Sequence, residues 1–289
     1  MEQNMTTAVT GATGQLGAHV IAELLWRGVA PTEIVAVVRD ADKAADLAAQ
    51  GVQVRVADYS DPAALRATLA GVDKLLLISG NDVGRRIDQH TNVIEAAELA
   101  DVKLIAYTSV LKADTSGLLV APEHLATELR LTASSIPAVF LRNGWYWENY
   151  FAAIPQAIES GKLFGAAGEG RIAAATRADF AAAAAVVLTT EDHGGKVYEL
   201  GGSDRITYAE FAQVISAASG EPVEYQDLPE AEYAAVLSAA GLPEEFATML
   251  STSDAGIARG ELDTDSGDLQ KLIGRPSTPV ADAIKPALG

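Results

Sequence analysis

The chain has 289 residues, 49% of them apolar, no cysteine and a formal net charge of −18. That is enough apolar side chain for one large core or two modest ones, and it excludes disulfides, thiolate chemistry and cysteine-ligated metals. The acidic balance argues against nucleic acid or an anionic membrane as partner, because such surfaces are held largely by Lys and Arg.

Thr6–Thr10 read as a strand that runs into Gly11-Ala12-Thr13-Gly14-Gln15-Leu16-Gly17 and then into a helix over 16–27, where Leu16, Val20, Ile21, Leu24 and Leu25 share one face. A glycine-rich turn between strand and helix is built to hold a dinucleotide pyrophosphate. Gly11 permits the tight turn, Gly14 lets backbone N–H groups approach phosphate oxygens, and Gly17 lets the helix pack close to the sheet. The spacing departs from the usual G-x-G-x-x-G, so the strand before it and the helix after it carry the reading.

Further strands are predicted at Ile34–Val38, Val52–Ala57, Leu75–Ile78, Leu104–Thr108 and Ala138–Leu141. Helices fall between them at 42–50, 62–70, 86–100 and 122–133, with Asp61 before Pro62 as a start signal. Continuous apolar strands alternating with helices predict an α/β fold, a Rossmann-type doubly wound parallel sheet made of right-handed βαβ units. After Arg142 the rhythm breaks into aromatics and glycines (Trp145, Tyr146, Trp147, Tyr150, Gly161, Gly165, Gly168, Gly170), then an alanine-rich buried helix over Ala178–Leu188 and a strand at Lys196–Leu200. Helices at 207–219, 229–240 and 243–250 and a strand at Val223–Gln226 complete the chain. The predicted division is a dinucleotide-binding domain over 1–150, to which 173–200 return, and a smaller C-terminal substrate-binding cap from 151–172 and 201–289 that closes a cleft over the strand ends. Ligands of open α/β sheets sit at those carboxyl ends, where the turns Ser79-Gly80-Asn81 and Thr108-Ser109 fall.

The longest apolar stretch, Phe180–Leu188, is too short to span a bilayer, and the N-terminus lacks the regions of a signal peptide, so a soluble cytoplasmic protein is expected. The four histidines, His19, His90, His124 and His193, are scattered and suggest no metal site.

The second strand ends in Arg39, with Lys43 four residues on, where an NAD-preferring site presents an acid to the ribose hydroxyls. Arg39 can offer paired donors to a 2′-phosphate and Lys43 a point charge, which favours NADPH over NADH. Asp40 blurs this preference, and an ordinary solvated surface pair is the competing reading. Asp58 and Tyr59, past the third strand, can bound an adenine by hydrogen bond and ring contact, or form an ordinary turn.

A short-chain dehydrogenase acting on aliphatic ketones needs a Tyr four residues before a Lys, a phenol of lowered pKa to protonate the alkoxide. None of the eight tyrosines meets this test, and the helix in question reads Glu123-His124-Leu125-Ala126-Thr127-Glu128. Hydride transfer to a quinone escapes the requirement, because the phenolate-like product is stabilised by resonance and takes its proton from solvent; positioning is then most of the catalysis. Trp145, Tyr146, Trp147 and Tyr150 can form an aromatic wall for such a planar acceptor, or simply pack domains together.

Several strings together resemble one family. They are Thr10-Gly11-Ala12-Thr13-Gly14-Gln15-Leu16-Gly17, Ile34-Val35-Ala36-Val37-Val38-Arg39, Leu75-Leu76-Leu77-Ile78-Ser79, Ile105-Ala106-Tyr107-Thr108-Ser109, Leu141-Arg142-Asn143-Gly144-Trp145-Tyr146 and Ala175-Thr176-Arg177-Ala178-Asp179. The resemblance is to the NmrA-like atypical short-chain dehydrogenases, and among them to the type-2 bacterial NAD(P)H:quinone oxidoreductases. It runs from the first strand through Leu272-Ile273-Gly274. Triphenylmethane reductase is a near relative that shares the glycine loop and Leu-Arg-Asn, but Gly144-Trp145-Tyr146 and Ala113-Asp114-Thr115-Ser116 fit the quinone branch better.

The resemblance implies that Gly11, Ala12, Thr13, Gly14, Gln15 and Leu16 hold the pyrophosphate and Arg39 the 2′-phosphate. It places Ser79, Gly80 and Asn81 along the nicotinamide ribose; Thr108, at its strand end, is a further candidate cofactor contact. Asn143, Gly144, Trp145, Tyr146 and on to Glu148 are implied at the nicotinamide and acceptor cleft, and Arg171 at a cofactor contact on a closing loop, where a lysine also fits the family. Asn81-Asp82 and Leu118-Leu119-Val120-Ala121-Pro122 depart from the family pattern and bear on which acceptor is preferred.

The leading expectation is therefore an NADPH-dependent reductase of quinones or similar planar, electron-poor acceptors, with no metal and with a homodimer allowed. A regulator that only senses NADP(H) and a carbonyl or ene reductase with His124 or Tyr146 as proton donor are the alternatives.

Overall fold

A computed structural model of the protein describes residues 5–288. In chain order its elements are β1 (Thr7–Thr10), α1 (Gln15–Trp26), β2 (Ile34–Val38), α2 (Ala45–Ala49), β3 (Gln53–Val56), α3 (Pro62–Leu69), β4 (Lys74–Leu77), α4 (Arg86–Leu99), β5 (Leu104–Val110), α5 (Ala121–Thr132), β6 (Ala138–Asn143), α6 (Ile154–Ser160), β7 (Lys162–Gly165), α7 (Arg177–Thr189), β8 (Val197–Leu200), α8 (Tyr208–Ser219), β9 (Glu224–Asp227), α9 (Glu230–Ala239), α10 (Glu244–Ala258), α11 (Asp268–Ile273) and α12 (Val280–Ala283). The chain divides into two compact units. The first runs to Val110 and adds Glu123–Arg142 and Arg177–Tyr198; the second takes Leu111–Pro122, Asn143–Thr176 and Glu199 onward.

The first unit is built on a parallel seven-stranded sheet of order β3-β2-β1-β4-β5-β6-β8, flanked by helices. Register follows from the apolar pattern. Ala8 lies beside Val35 and Leu75, and Leu75 beside Ile105, so these four share one face. With Val37, Leu77 and Tyr107 they pack on Leu65 and Leu69 of α3, Val93, Ile94 and Ala97 of α4, and Leu131 of α5. Helix α7 packs on α1, β4 and β5, and its alanines Ala181–Ala185 are all buried, as the alanine run predicted. Strands covered on both faces must be apolar throughout, which is why β1, β2, β4 and β5 read as unbroken runs. Edge strand β3 is half-buried, and its Arg55 donates to the Thr68 and Ala70 carbonyls at the end of α3.

The order reverses between β1 and β4, the chain stepping outward to β2 and β3 on one side and to β5, β6 and β8 on the other. The turns that leave β1 and β4 are thereby neighbours at the carboxyl edge of the sheet, the switch point at which open α/β sheets bind ligands.

The second unit has its own small sheet, β7 parallel to β9, and an aromatic core in which Trp147 is fully buried against Phe211 and Tyr150. Helix α8 starts on a capping box, Thr207 taking the Glu210 N–H and Glu210 the Thr207 N–H.

Several elements differ from the sequence-based expectation, which has no counterpart for the short helices α6, α11 and α12. The segment 42–50 opens as a 3-10 turn over Asp42–Ala44 before α2 begins. Strand β7 was not predicted at all, its four residues Lys-Leu-Phe-Gly being too few to show a period. Helix α10 runs to Ala258, eight residues beyond the expected end, because Ser251, Thr252 and Ser253 turn their hydroxyls onto carbonyls of the preceding turn and do not break the helix.

Candidate functional site

The glycine turn is the first component. Gly11 has φ +59°, the left-handed backbone that favours glycine, and its carbonyl receives the Gly14 N–H at 2.8 Å. A Cβ on Gly14 would stand 3.0 Å from Gly11 O, and one on Gly17 only 2.3 Å from it and 2.8 Å from Ala12 Cα. Gly17 thus allows close packing of the helix on its own entry turn, and the Gly14 N–H closes that turn. Helix α1 begins at an N-cap, Gly14, that offers no capping side chain. Gly11, Thr13, Gly14 and Gln15 are exposed while Ala12 and Leu16 are buried beneath them, so the turn is an open rim on a packed base. Open helix N-termini of this kind favour anions.

At the end of β2, Arg39 and Lys43 are exposed, and neither is in an ion pair among the described residues. The Asp40 carboxylate accepts the Asp42 N–H at 3.0 Å, which engages the acid that blurred the basic reading. Past β3, Asp58 accepts the Ser60 N–H at 2.7 Å. Tyr59 Oη lies 2.5 Å from Thr10 Oγ1 and 2.8 Å from Ile78 O, so its hydroxyl ties the ends of β1 and β4 together. Burial raises its pKa, and the phenol stays neutral.

The turn after β4 is held by side chains of several elements. The Ile78 N–H donates to Thr10 Oγ1 at 3.0 Å, Ser79 to Thr108 Oγ1 at 2.9 Å, Gly80 to His90 Nε2 at 3.0 Å and Gly84 to Glu123 Oε1 at 2.8 Å. Arg86 Nε donates back to Gly80 O at 2.8 Å and its other arm pairs with Glu123 at 3.2 Å. Asn81 at the tip is exposed. Reading the sequence missed His90, Arg86, Glu123 and Thr127. A signal was present, since Arg86, Gln89, His90, Val93, Ile94 and Ala97 follow one helical face, which places three polar residues among apolar ones on a side that is buried.

Helix α5, where a Tyr-Lys pair was sought, carries a buried polar set instead. His124 Nδ1 lies 2.7 Å from Tyr107 Oη, and Glu128 accepts from Ser109 at 2.6 Å and from both arms of Arg142 at 3.0 and 2.7 Å. Burial, helped by the Arg86 guanidinium, lowers the His124 pKa to about 3, and burial raises that of Tyr107. His124 is therefore a neutral imidazole at physiological pH and has no readily lost proton to give as an acid.

In the second unit, Asn143 ends β6 with its carbonyl accepting the Leu111 N–H and its side-chain Oδ1 buried without a hydrogen-bond partner. Gly144 is buried, and a Cβ there would meet Ala173 O at 3.0 Å and Leu200 O at 3.1 Å. Trp145 and Tyr146 are half-buried, with the backbone of this turn bonded on both sides of Ala175. Trp147 has no exposed surface, so it belongs to the core of the unit and not to an acceptor wall, whereas Tyr150, packed on Trp147, Phe211 and Tyr208, is half-buried. Arg171 donates to Arg205 O at 2.6 Å and pairs with Glu210 at 3.2 Å.

A parallel sheet with an open glycine turn at its switch point defines a dinucleotide-binding protein of the Rossmann class. The NmrA-like family matches residues 3–272 of the chain. The protein belongs to that family. It is 54% identical over 277 residues to quinone oxidoreductase 2 of Escherichia coli (strain K12), covering 96% of both chains. Among solved structures it is similar to the E. coli NADPH-dependent quinone oxidoreductase complexed with NADPH, at TM-score 0.95, 52% identity and coverage of 98% and 100%. It is also similar to the Citrobacter triphenylmethane reductase complexed with NADP(H), at TM-score 0.94, 43% identity and coverage of 98% and 100%. Among the described residues no helix is long and apolar enough to cross a membrane.

Proposed function

We propose that the protein is an NADPH-dependent reductase that delivers hydride to a quinone or a similar planar, electron-poor acceptor. The observation that carries this reading is the solvent-open glycine turn at the start of α1 with the unpaired cations Arg39 and Lys43 at the end of the neighbouring strand. The residues suit the cofactor: at Gly17 a side chain would collide with the turn, at Gly14 it would crowd it, and Asn143 keeps a buried acceptor unpaired.

Gly11, Ala12, Thr13, Gly14, Gln15 and Leu16 would hold the pyrophosphate through backbone N–H groups and the helix terminus. Arg39 and Lys43 would hold the 2′-phosphate, the first by paired donors and the second as a point charge. Asp58 and Tyr59 would bound the adenine, and Ser79, Gly80, Asn81 and Thr108 the nicotinamide ribose. Of the second unit, Asn143, Gly144, Trp145, Tyr146 and Arg171 are the proposed contributors.

When bound, the reduced nicotinamide supplies the hydride. The chain binds and orients the reactants. Its buried His124 and Tyr107 hold their protons too tightly or not at all, so a substrate that needs no strong enzymic acid suits the site, and a quinone is such a substrate because its reduced anion takes a proton from water. The sequence also favours a cytoplasmic setting and allows a homodimer, and the net charge of −18 argues against a nucleic-acid partner. Mixing purified protein with NADPH and a set of benzoquinones tests the central reading. Oxidation of NADPH well above the uncatalysed background is expected; confirmed binding with no turnover on any acceptor would replace the reductase by a cofactor sensor.

A further inference from the structure

The Gly80 peptide is gripped on both sides by buried side chains of α4, its N–H by His90 Nε2 at 3.0 Å and its carbonyl by Arg86 Nε at 2.8 Å. A peptide N–H can only donate, so His90 Nε2 is the acceptor and the neutral ring carries its proton on Nδ1. That N–H donates to Thr127 Oγ1 at 2.9 Å, and the Thr127 hydroxyl donates to Glu123 O at 2.9 Å. Every donor in the chain thus has one acceptor, and the tautomer of His90 is fixed by Thr127 of α5. His90 is 1% exposed, wedged edge-on between the rings of Tyr59 and Tyr107, so water has little access to substitute for it. An imidazolium could not accept from Gly80, and burial with the Arg86 guanidinium lowers the His90 pKa to about 3, which keeps the ring neutral.

This arrangement sets the shape of the turn after β4. Gly80, like Gly84, has a wider choice of backbone conformation than the other residues of the turn, and ordering it on binding would cost affinity. We infer that His90 is a positioning residue, which holds the Gly80 peptide through Nε2, under orientation by Thr127, in the form that receives the nicotinamide-ribose end of the cofactor. The inference rests on the NADPH reading above. It assigns His90 no contact with the cofactor and no proton transfer. It separates two ends of the site: no hydrogen bond of His90 reaches the turn after β1 or Arg39, whereas one holds the turn after β4.

The test compares wild type with His90→Phe, which fills the ring volume without a polar atom, His90→Gln, whose amide oxygen can replace Nε2, and Thr127→Val, which removes the acceptor of Nδ1–H. Three quantities are read: amide hydrogen exchange over residues 78–84 in the cofactor-free protein, affinity for NADPH, and affinity for 2′,5′-ADP, which lacks the nicotinamide ribose. His90→Phe should speed exchange in the turn and weaken NADPH about tenfold, as expected for one buried hydrogen bond, while 2′,5′-ADP stays within about twofold. His90→Gln should restore most of the loss, and Thr127→Val should show the same selectivity at smaller size. Equal weakening of NADPH and 2′,5′-ADP, or unchanged NADPH affinity, would overturn the inference. If His90→Phe does not fold, Thr127→Val decides between the same outcomes. A wild type that binds no NADPH overturns the functional reading itself and the inference with it, whereas a wild type that binds while the folded variants bind equally well overturns the inference alone.

Discussion

Two kinds of residue make up the candidate site, and they differ in how far their roles could be read from sequence. Arg39 is legible because it directly follows β2, so strand position alone sets its place at the carboxyl edge. It is exposed and free of ion pairs among the described residues, so its removal breaks no ion pair. Replacing Arg39 by Ala should weaken NADPH by roughly 1.5–3 kcal/mol, the size of a charge-assisted hydrogen bond, and leave NADH almost unchanged. Parallel fluorescence titrations with the two cofactors measure this, and equal losses would mean that the 2′-phosphate sits elsewhere. His90 is of the other kind. Its partners are ten and 37 residues away; the helical face it shares with Val93, Ile94 and Ala97 marks it as buried, but nothing local says which remote peptide it fixes.

At the scale of elements, the sheet and its helices were legible because burial on both faces leaves a mark, the unbroken apolar run, in each central strand. Strand β7 and the second half of α10 left none: one is four residues long, and the other hides its helix under three hydroxyl residues. The glycine turn was legible as a motif but not in its mechanics, since the close contact of Gly17 with Gly11 O appears only once the turn is built. Gly17→Ala should force that turn apart, at about 1–3 kcal/mol of overpacking, and lower NADPH affinity along with the melting temperature. Helix α5 offers a second test, because Glu128 is the acceptor shared by Ser109 and both arms of Arg142, all of them buried. Glu128→Ala removes the carboxylate that takes both arms of the buried Arg142 and should cost about 3–5 kcal/mol in urea unfolding. Glu128→Gln, which keeps the acceptor oxygen, should cost less. Equal losses for the two would show that side-chain volume, not the paired charge, is what Glu128 contributes.

For the whole molecule, stability is linked to pH through a carboxyl in the second unit. Asp254 of α10 is buried and makes no ion pair among the described residues; its Oδ1 lies 2.7 Å from Tyr208 Oη and its Oδ2 accepts the Ala166 N–H at 3.1 Å. Burial, reinforced by the nearby Asp227 carboxylate, raises its pKa from 3.8 to about 7, against the smaller opposing effect of those two hydrogen bonds. Between these two values the folded chain keeps a proton that the unfolded chain releases, so the stabilisation is complete below the lower value and is lost as pH rises through the upper one. Surface repulsion from the net charge of −18 also varies with pH, but a single buried substitution leaves it nearly unchanged. The comparison of wild type with Asp254→Asn, a permanently neutral side chain of the same shape, therefore isolates the linkage. From about pH 5 to about pH 8 the melting temperature of wild type should fall relative to that of Asp254→Asn, and the difference should level off at higher pH. A difference that stays constant over this range would mean that the carboxylate is ionised throughout, and that Tyr208 and the Ala166 N–H stabilise its charge more than burial opposes it.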